Sequence, residues 1–145
     1  MSLFTDLMDS PLNLAASAKF TALNGIIYLS VGILLMSWPK AVQTLLLDSE
    51  FVGREAALIR VVGMAVAIIG WFYFFGGRSG SRQIVAASVL NRIVLVPLVL
   101  VPLAMAGVFP HLLLMFAILD PVLGFVAWYL LHQEKAKAPD TKIAG

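Results

Sequence analysis

The sequence predicts an all-α fold, a four-helix transmembrane bundle with short interfacial helices at the N-terminus and in the first loop. Three observations carry that expectation. Of the 145 residues, 61% are hydrophobic and 12% charged, which is about half the charge share of an ordinary water-soluble domain. The apolar residues gather into four runs of membrane-crossing length, because about 20 apolar residues in a helix traverse the hydrocarbon layer. Inside those runs the formal charges are Arg60, Arg92 and Asp120, so charge has been swept into the connections and the tail.

The spans are expected at about 20–38, 56–77, 83–106 and 108–131, in one domain covering 1–145 with a polar, mobile tail over 132–145. Ahead of the first span, Leu3, Phe4, Leu7 and Met8 recur at helical spacing opposite Asp6 and Asp9, the pattern of a short helix lying on a membrane surface. Ser10 before Pro11 reads as an N-cap and first helical position, so the first spanning helix is expected to begin there. The leader carries acids and no basic n-region, unlike a cleavable signal peptide.

Segment 39–48 places Val42, Leu45 and Leu46 on one helical face. It is too short to cross and suits the headgroup boundary. Glu50 and Arg54, four apart with the acid first, favour the start of the second span. The run from Gly76 to Arg82 is hydrophilic and glycine-rich, a composition that should end the helix. It lacks the Gly-Lys-Ser/Thr ending of a phosphate-binding loop. Its arginines, Arg78 and Arg82, set orientation in one reading and grip a lipid phosphate in the other. Spans three and four are joined by little more than Gly107, Val108, Phe109 and Pro110, which makes them antiparallel neighbours.

Four crossings return the chain to the side on which it began. Lys19, Arg78, Arg82, Lys135, Lys137 and Lys142 fall on that side and Lys40 and Arg54 on the other. By the positive-inside rule both termini are expected in the cytoplasm. Trp38 at one interface and Trp71, Trp128 and Tyr129 toward the other suit an aromatic belt.

An ionisable side chain at mid-bilayer costs about 2.5–3.5 kcal/mol on insertion scales and usually faces the bundle interior with a partner. Counted from the hairpin apex, Arg92 and Asp120 differ in depth by about 4–5 Å, a gap an arginine side chain spans. They are expected to pair in the core beside Asn91 and Ser88. The pair is either a structural lock on the register of spans three and four or the floor of a ligand site. Arg60, about 9 Å below its helix end, either adds a second cation to that site for an anionic ligand or snorkels outward to Glu55 or lipid phosphate. Pro97, Pro102 and Pro121 each remove a helical hydrogen bond and should bend the hairpin. Gly25 and Gly32, with Gly63, Ala67 and Gly70, form small-residue stripes that permit close backbone approach, within the bundle or in a homo-oligomer. Asn24 and Tyr28 read as interhelical hydrogen-bonders.

Several chemistries fall away. With no cysteine, disulfides, iron–sulfur clusters and thiolate nucleophiles are excluded. His111 and His132 are about 31 Å apart along one helix, too far to share a metal or a haem. Met36, Met105, Met115 and His111 toward one leaflet are soft ligands in principle, but methionine there reads as apolar filling. No nucleophile elbow occurs. No catalytic residue, metal or cofactor is expected, and the thinly spread Lys and Arg offer no nucleic-acid surface.

Arg60 followed by Gly63 and Gly70 in the second span, with Arg92 in the third and Asp120 in the fourth, resembles DoxX-like and related small bacterial four-helix membrane proteins over about residues 20–131. The resemblance implies the fold and a bacterial inner-membrane location. Some members of that group resemble quinone-linked oxidoreductase subunits, for which this chain offers no redox residue. The first functional expectation is a non-catalytic accessory or structural subunit of a membrane assembly, with lipids and a membrane-protein or homo-oligomeric partner. The second is a binder or carrier of an amphiphilic anion or lipid through Arg60, Asn91, Arg92 and Asp120. The third is a small exporter, disfavoured by the strong charge asymmetry and by a first span without an acidic residue.

Overall fold

Among the described residues, 3–137 of the computed structural model, four helices are long and apolar enough to cross a membrane. The elements run α1 (Leu3–Met8), α2 (Ala16–Ser37), α3 (Ala41–Leu46), α4 (Glu55–Arg78), α5 (Arg82–Leu90), a π turn (Asn91–Leu95), α6 (Val96–Met105) and α7 (Pro110–Lys137). Together α5, the π turn and α6 make the third span, Arg82–Met105. The chain is therefore a four-helix multi-pass membrane protein, whose outward faces carry large apolar side chains such as Phe72, Leu98 and Ile118, all more than 60% exposed. A monomer in water rarely presents so much continuous apolar surface. Asp140 and Lys142, counted above with the tail, lie outside the described residues, as do the side chains of Leu3 and Asp6.

The bundle is two helix pairs. In the first, the small-residue stripes bring α2 and α4 into backbone contact: a Cβ on Gly63 would stand 2.8 Å from the Gly32 carbonyl oxygen, and one on Gly77 would stand 2.6 Å from that of Ala18. The stripes thus serve the monomer's own bundle. They also explain why α4 continues through Gly76 and Gly77, where composition alone suggested a stop. Gly77 seats against α2, Gly76 faces Ile84 of α5, and the turn is left to Ser79–Ser81. In the second pair, α6 and α7 are antiparallel across a turn in which Gly107 (φ 83°) and Phe109 (φ 39°) adopt positive φ. Apart from Ser17 at the start of α2, serine and threonine hydroxyls within the spans return to their own helix: Thr21, Ser30 and Ser37 donate to carbonyls four residues back, and Ser88 donates to that of Val85. Hydrocarbon offers them no other acceptor.

Both ends of the bundle are closed by carboxylates from distant parts of the chain. Helix α2 starts at Ala16 rather than after Ser10, because Glu134 caps it: one carboxylate oxygen accepts from Ser17 N–H and the other from its hydroxyl, each at 2.7 Å. Helix α7 accordingly runs on to Lys137, into the segment that the sequence marks as a polar tail. At the opposite end, Asp48 accepts from the backbone N–H groups of His111 and Leu112, each at 2.9 Å, and so satisfies the first turn of α7. This capping draws in the α3 segment. Val42 is fully buried against Ile59 and Leu112, while Leu45 is 61% exposed, so the segment is half core and half interfacial. Replacing Asp48 with alanine should lower stability by about 1–2 kcal/mol, measured by thermal unfolding in detergent. Loss of protection at the His111 and Leu112 amides in hydrogen exchange would mark the cap as the cause.

Glu50 and Arg54 both precede α4. The start of that helix is instead fixed by Glu55, whose carboxylate accepts from Val52 N–H at 2.7 Å. Arg78 donates to the Met8 carbonyl at 3.0 Å and covers the Phe74 ring, which ties α1 to the end of α4.

Candidate functional site

The third span is not one regular helix. Pro97 lacks the N–H that would bond to the Ile93 carbonyl, and its ring crowds that carbonyl. The chain responds with a π turn over Asn91–Leu95, in which Val96 N–H donates to the Asn91 carbonyl. Such a widened turn re-aims the side chains within it and recurs at functional sites. Here it carries Asn91 and Arg92.

Arg92 is wholly buried. Its guanidinium carbon lies 4.3 Å from the centroid of Tyr73 and 5.2 Å from that of Tyr28, rings that meet edge-on at 5.7 Å. Asp120, 3% exposed, brings Oδ1 to 4.0 Å from Arg92 Nε, beyond hydrogen-bond reach. None of the three guanidinium nitrogens has a hydrogen-bond partner among the described residues, and the same holds for Asp120 Oδ1. The cation is therefore held by aromatic faces and by Coulomb attraction. A desolvated cation–π contact is worth about 2 kcal/mol, so the two rings offset part of the cost of burying the charge and Asp120 supplies the counter-charge.

The expected hydrogen-bonding neighbours are otherwise occupied. Ser88 bonds within its own helix, and Asn91 donates to the Tyr73 hydroxyl at 3.0 Å. Asn24 and Tyr28, read from sequence as interhelical hydrogen-bonders, leave Asn24 Nδ2 and the Tyr28 hydroxyl buried and unpartnered among the described residues. Tyr28 spends its ring on Tyr73 and Arg92 instead.

A cavity of about 280 Å³ adjoins this centre. Tyr28, Asn91 and Asp120 form its polar wall, and Arg92 stands directly behind Tyr28 and Asp120. The rest of the lining is apolar, from Val62, Val66 and Ile69 on α4 to Leu95, Val99 and Leu100 on the third span. Several of these residues, including Val62 and Val99, are also exposed at the outer surface. The cavity therefore reaches the lipid-facing side between the two helix pairs. A cleft that is mostly apolar with a few convergent polar groups is the usual form of a small-molecule site.

Of the sequence-derived site residues, Asn91, Arg92 and Asp120 come together. Arg60 does not. It follows buried Ile59 on the outward face of α4 and is exposed, away from the cavity lining. The helical period decides this, because Ile59, Gly63 and Gly70 claim the inward face. Arg82 is exposed at the start of α5, whereas Arg78 is engaged by α1. Sequence reasoning missed Tyr73, and with it the aromatic cradle. A signal was present: Tyr28 and Tyr73 each lie three residues beyond glycines, Gly25 and Gly70, whose backbones touch. Compared with protein-family models, curated proteins and solved structures, the chain matches none.

Proposed function

We propose that the protein is a non-catalytic membrane protein that holds an amphiphile, its tail in the cleft between α4 and α6 and its head at Tyr28, Asn91 and Asp120. The observation that carries this reading is the set of wholly buried, unpartnered polar atoms beside an apolar cavity. Buried donors without acceptors cost free energy. Here donors are in surplus, since the five N–H groups of a guanidinium and the hydroxyl of Tyr28 face the single orphan oxygen of Asp120. A head group offering an oxygen acceptor, as in a fatty acid or a phospholipid, takes the Tyr28 hydroxyl, the unpartnered donor on the cavity wall. Arg92 adds positive potential from behind the wall. The excess of Lys and Arg on the side of the termini supports an inner-membrane protein with both ends in the cytoplasm.

Narrowing the cleft without touching the polar centre tests this. Val66→Trp should strip amphiphiles that copurify in mild detergent, as read by mass spectrometry of extracted lipid, while leaving the helical content intact. Retention of the same species at unchanged stoichiometry would refute the reading.

Arg60 favours a second role, as an accessory subunit. An exposed cation about 7–8 Å into the membrane from the start of α4, on a helical stripe with Ala57 and Met64, also exposed, is what an acidic group on a partner helix would neutralise. Arg60→Gln should then release a copurifying membrane protein while leaving bound lipid unchanged.

A further inference from the structure

A second groove, of about 470 Å³, runs between the third span and α7 on the side of the termini. Leu90 and Ile93 form one wall, Phe125, Trp128 and Leu131 the other, and Lys135 stands at its mouth. Phe125 and Trp128 pack ring against ring at 6.3 Å. From Lys135 to Phe125 is about ten residues, or ~15 Å of helix, which is half of the roughly 30 Å hydrocarbon thickness. The groove is thus one leaflet deep, with its charged end at headgroup level.

A second cation lies on the same side of the bundle, one helical turn beyond the groove wall. Arg82 shares a helical stripe with Ala86, Val89 and Ile93 of the groove wall, one turn closer to the interface. Both Arg82 and Lys135 are exposed, and neither has an ion-pair partner among the described residues. Glu134, adjacent to Lys135, spends both oxygens on Ser17 and leaves that charge unneutralised.

We propose that this groove is a selective site for an anionic phospholipid, with one acyl chain along Trp128 and Phe125 and the phosphate between Arg82 and Lys135. An apolar trough alone would take any lipid chain; Lys135 at its mouth and Arg82 one turn beyond its wall make the selection by charge. The site is separate from the central cavity, since no residue lines both, so Val66→Trp should leave it unaltered.

Trp128 is a built-in reporter, as the chain holds three tryptophans and the other two, Trp38 and Trp71, can be changed to phenylalanine. The full chain, delipidated in mild detergent, is titrated with phosphatidylglycerol or phosphatidylcholine bearing the same brominated acyl chains. Trp128 fluorescence should be quenched at about tenfold lower phosphatidylglycerol concentration. Arg82→Ala with Lys135→Ala should abolish that preference while retaining quenching by both lipids at high concentration and an unchanged circular dichroism spectrum. Equal titrations in the parent protein, a preference that survives the double substitution, or no quenching by either lipid would each overturn the proposal.

Discussion

Gly70→Leu should prevent the bundle from holding together in mild detergent, with a loss of about 3 kcal/mol or more, at the upper end of what overpacking costs. A Cβ at that position already meets the backbone of Leu29 and would stand 2.7 Å from the Gly25 carbonyl oxygen. Backbone atoms cannot rotate aside as a side chain can, so α2 and α4 would have to part. Between helices in lipid, close packing of this kind is a principal source of association, because the tails outside are as apolar as the side chains within. Ala65→Leu, on the exposed face of the same helix, supplies the control and should leave the thermal midpoint nearly unchanged. If the two variants melted alike, the α2–α4 contact would not be the organising interface. The damage should extend beyond stability. Tyr28 and Tyr73 lie one turn from the Gly25–Gly70 contact and reach Arg92 only while those backbones touch, so bound amphiphile should also be lost.

The spans, the short hairpin and the shared depth of Arg92 and Asp120 were legible because each follows from a one-dimensional count of apolar run length, loop length or rise per residue. Features that depend on a partner far along the chain were not. Asp48 reads as one loop acid among several until α7 places its open N-terminus over it, 63 residues away. Glu134 reads as tail polarity until α2, 117 residues away, needs a cap. The π turn lay between these cases. Pro97 foretold a lost hydrogen bond, but whether a helix kinks or widens is decided by what it packs against, and here Gly124 of α7 makes room for Ile93 and the Arg92 stem. Arg60 and Arg92 look alike as lone intramembrane arginines, and the face each occupies separates them. On α4 the glycine stripe defines the inward side and leaves Arg60 outside. On the third span Val85, Ser88 and Val89 are buried together with Arg92.

Asp120→Ala should be the costliest single change at the central site, about 3 kcal/mol or more, since it leaves a buried guanidinium without a counter-charge. Replacing both groups, with Arg92→Met and Asp120→Leu, should recover most of that loss. Desolvation of two charges often cancels their attraction, and apolar side chains of similar volume then serve as well. The geometry favours recovery: at 4.0 Å, with no hydrogen bond between them, the two groups lack the bonds that make a buried pair repay its desolvation. Thermal unfolding of the single and double variants gives their coupling directly. If Asp120→Ala were as stable as the parent, the two rings alone would suffice to hold the cation. Lipid content then separates the roles of the pair. A double variant that folds but no longer retains its amphiphile shows that the charges are kept for the ligand, at a cost that packing alone would avoid. One that folds and retains the amphiphile shows that Tyr28, Asn91 and the apolar cleft hold it without them.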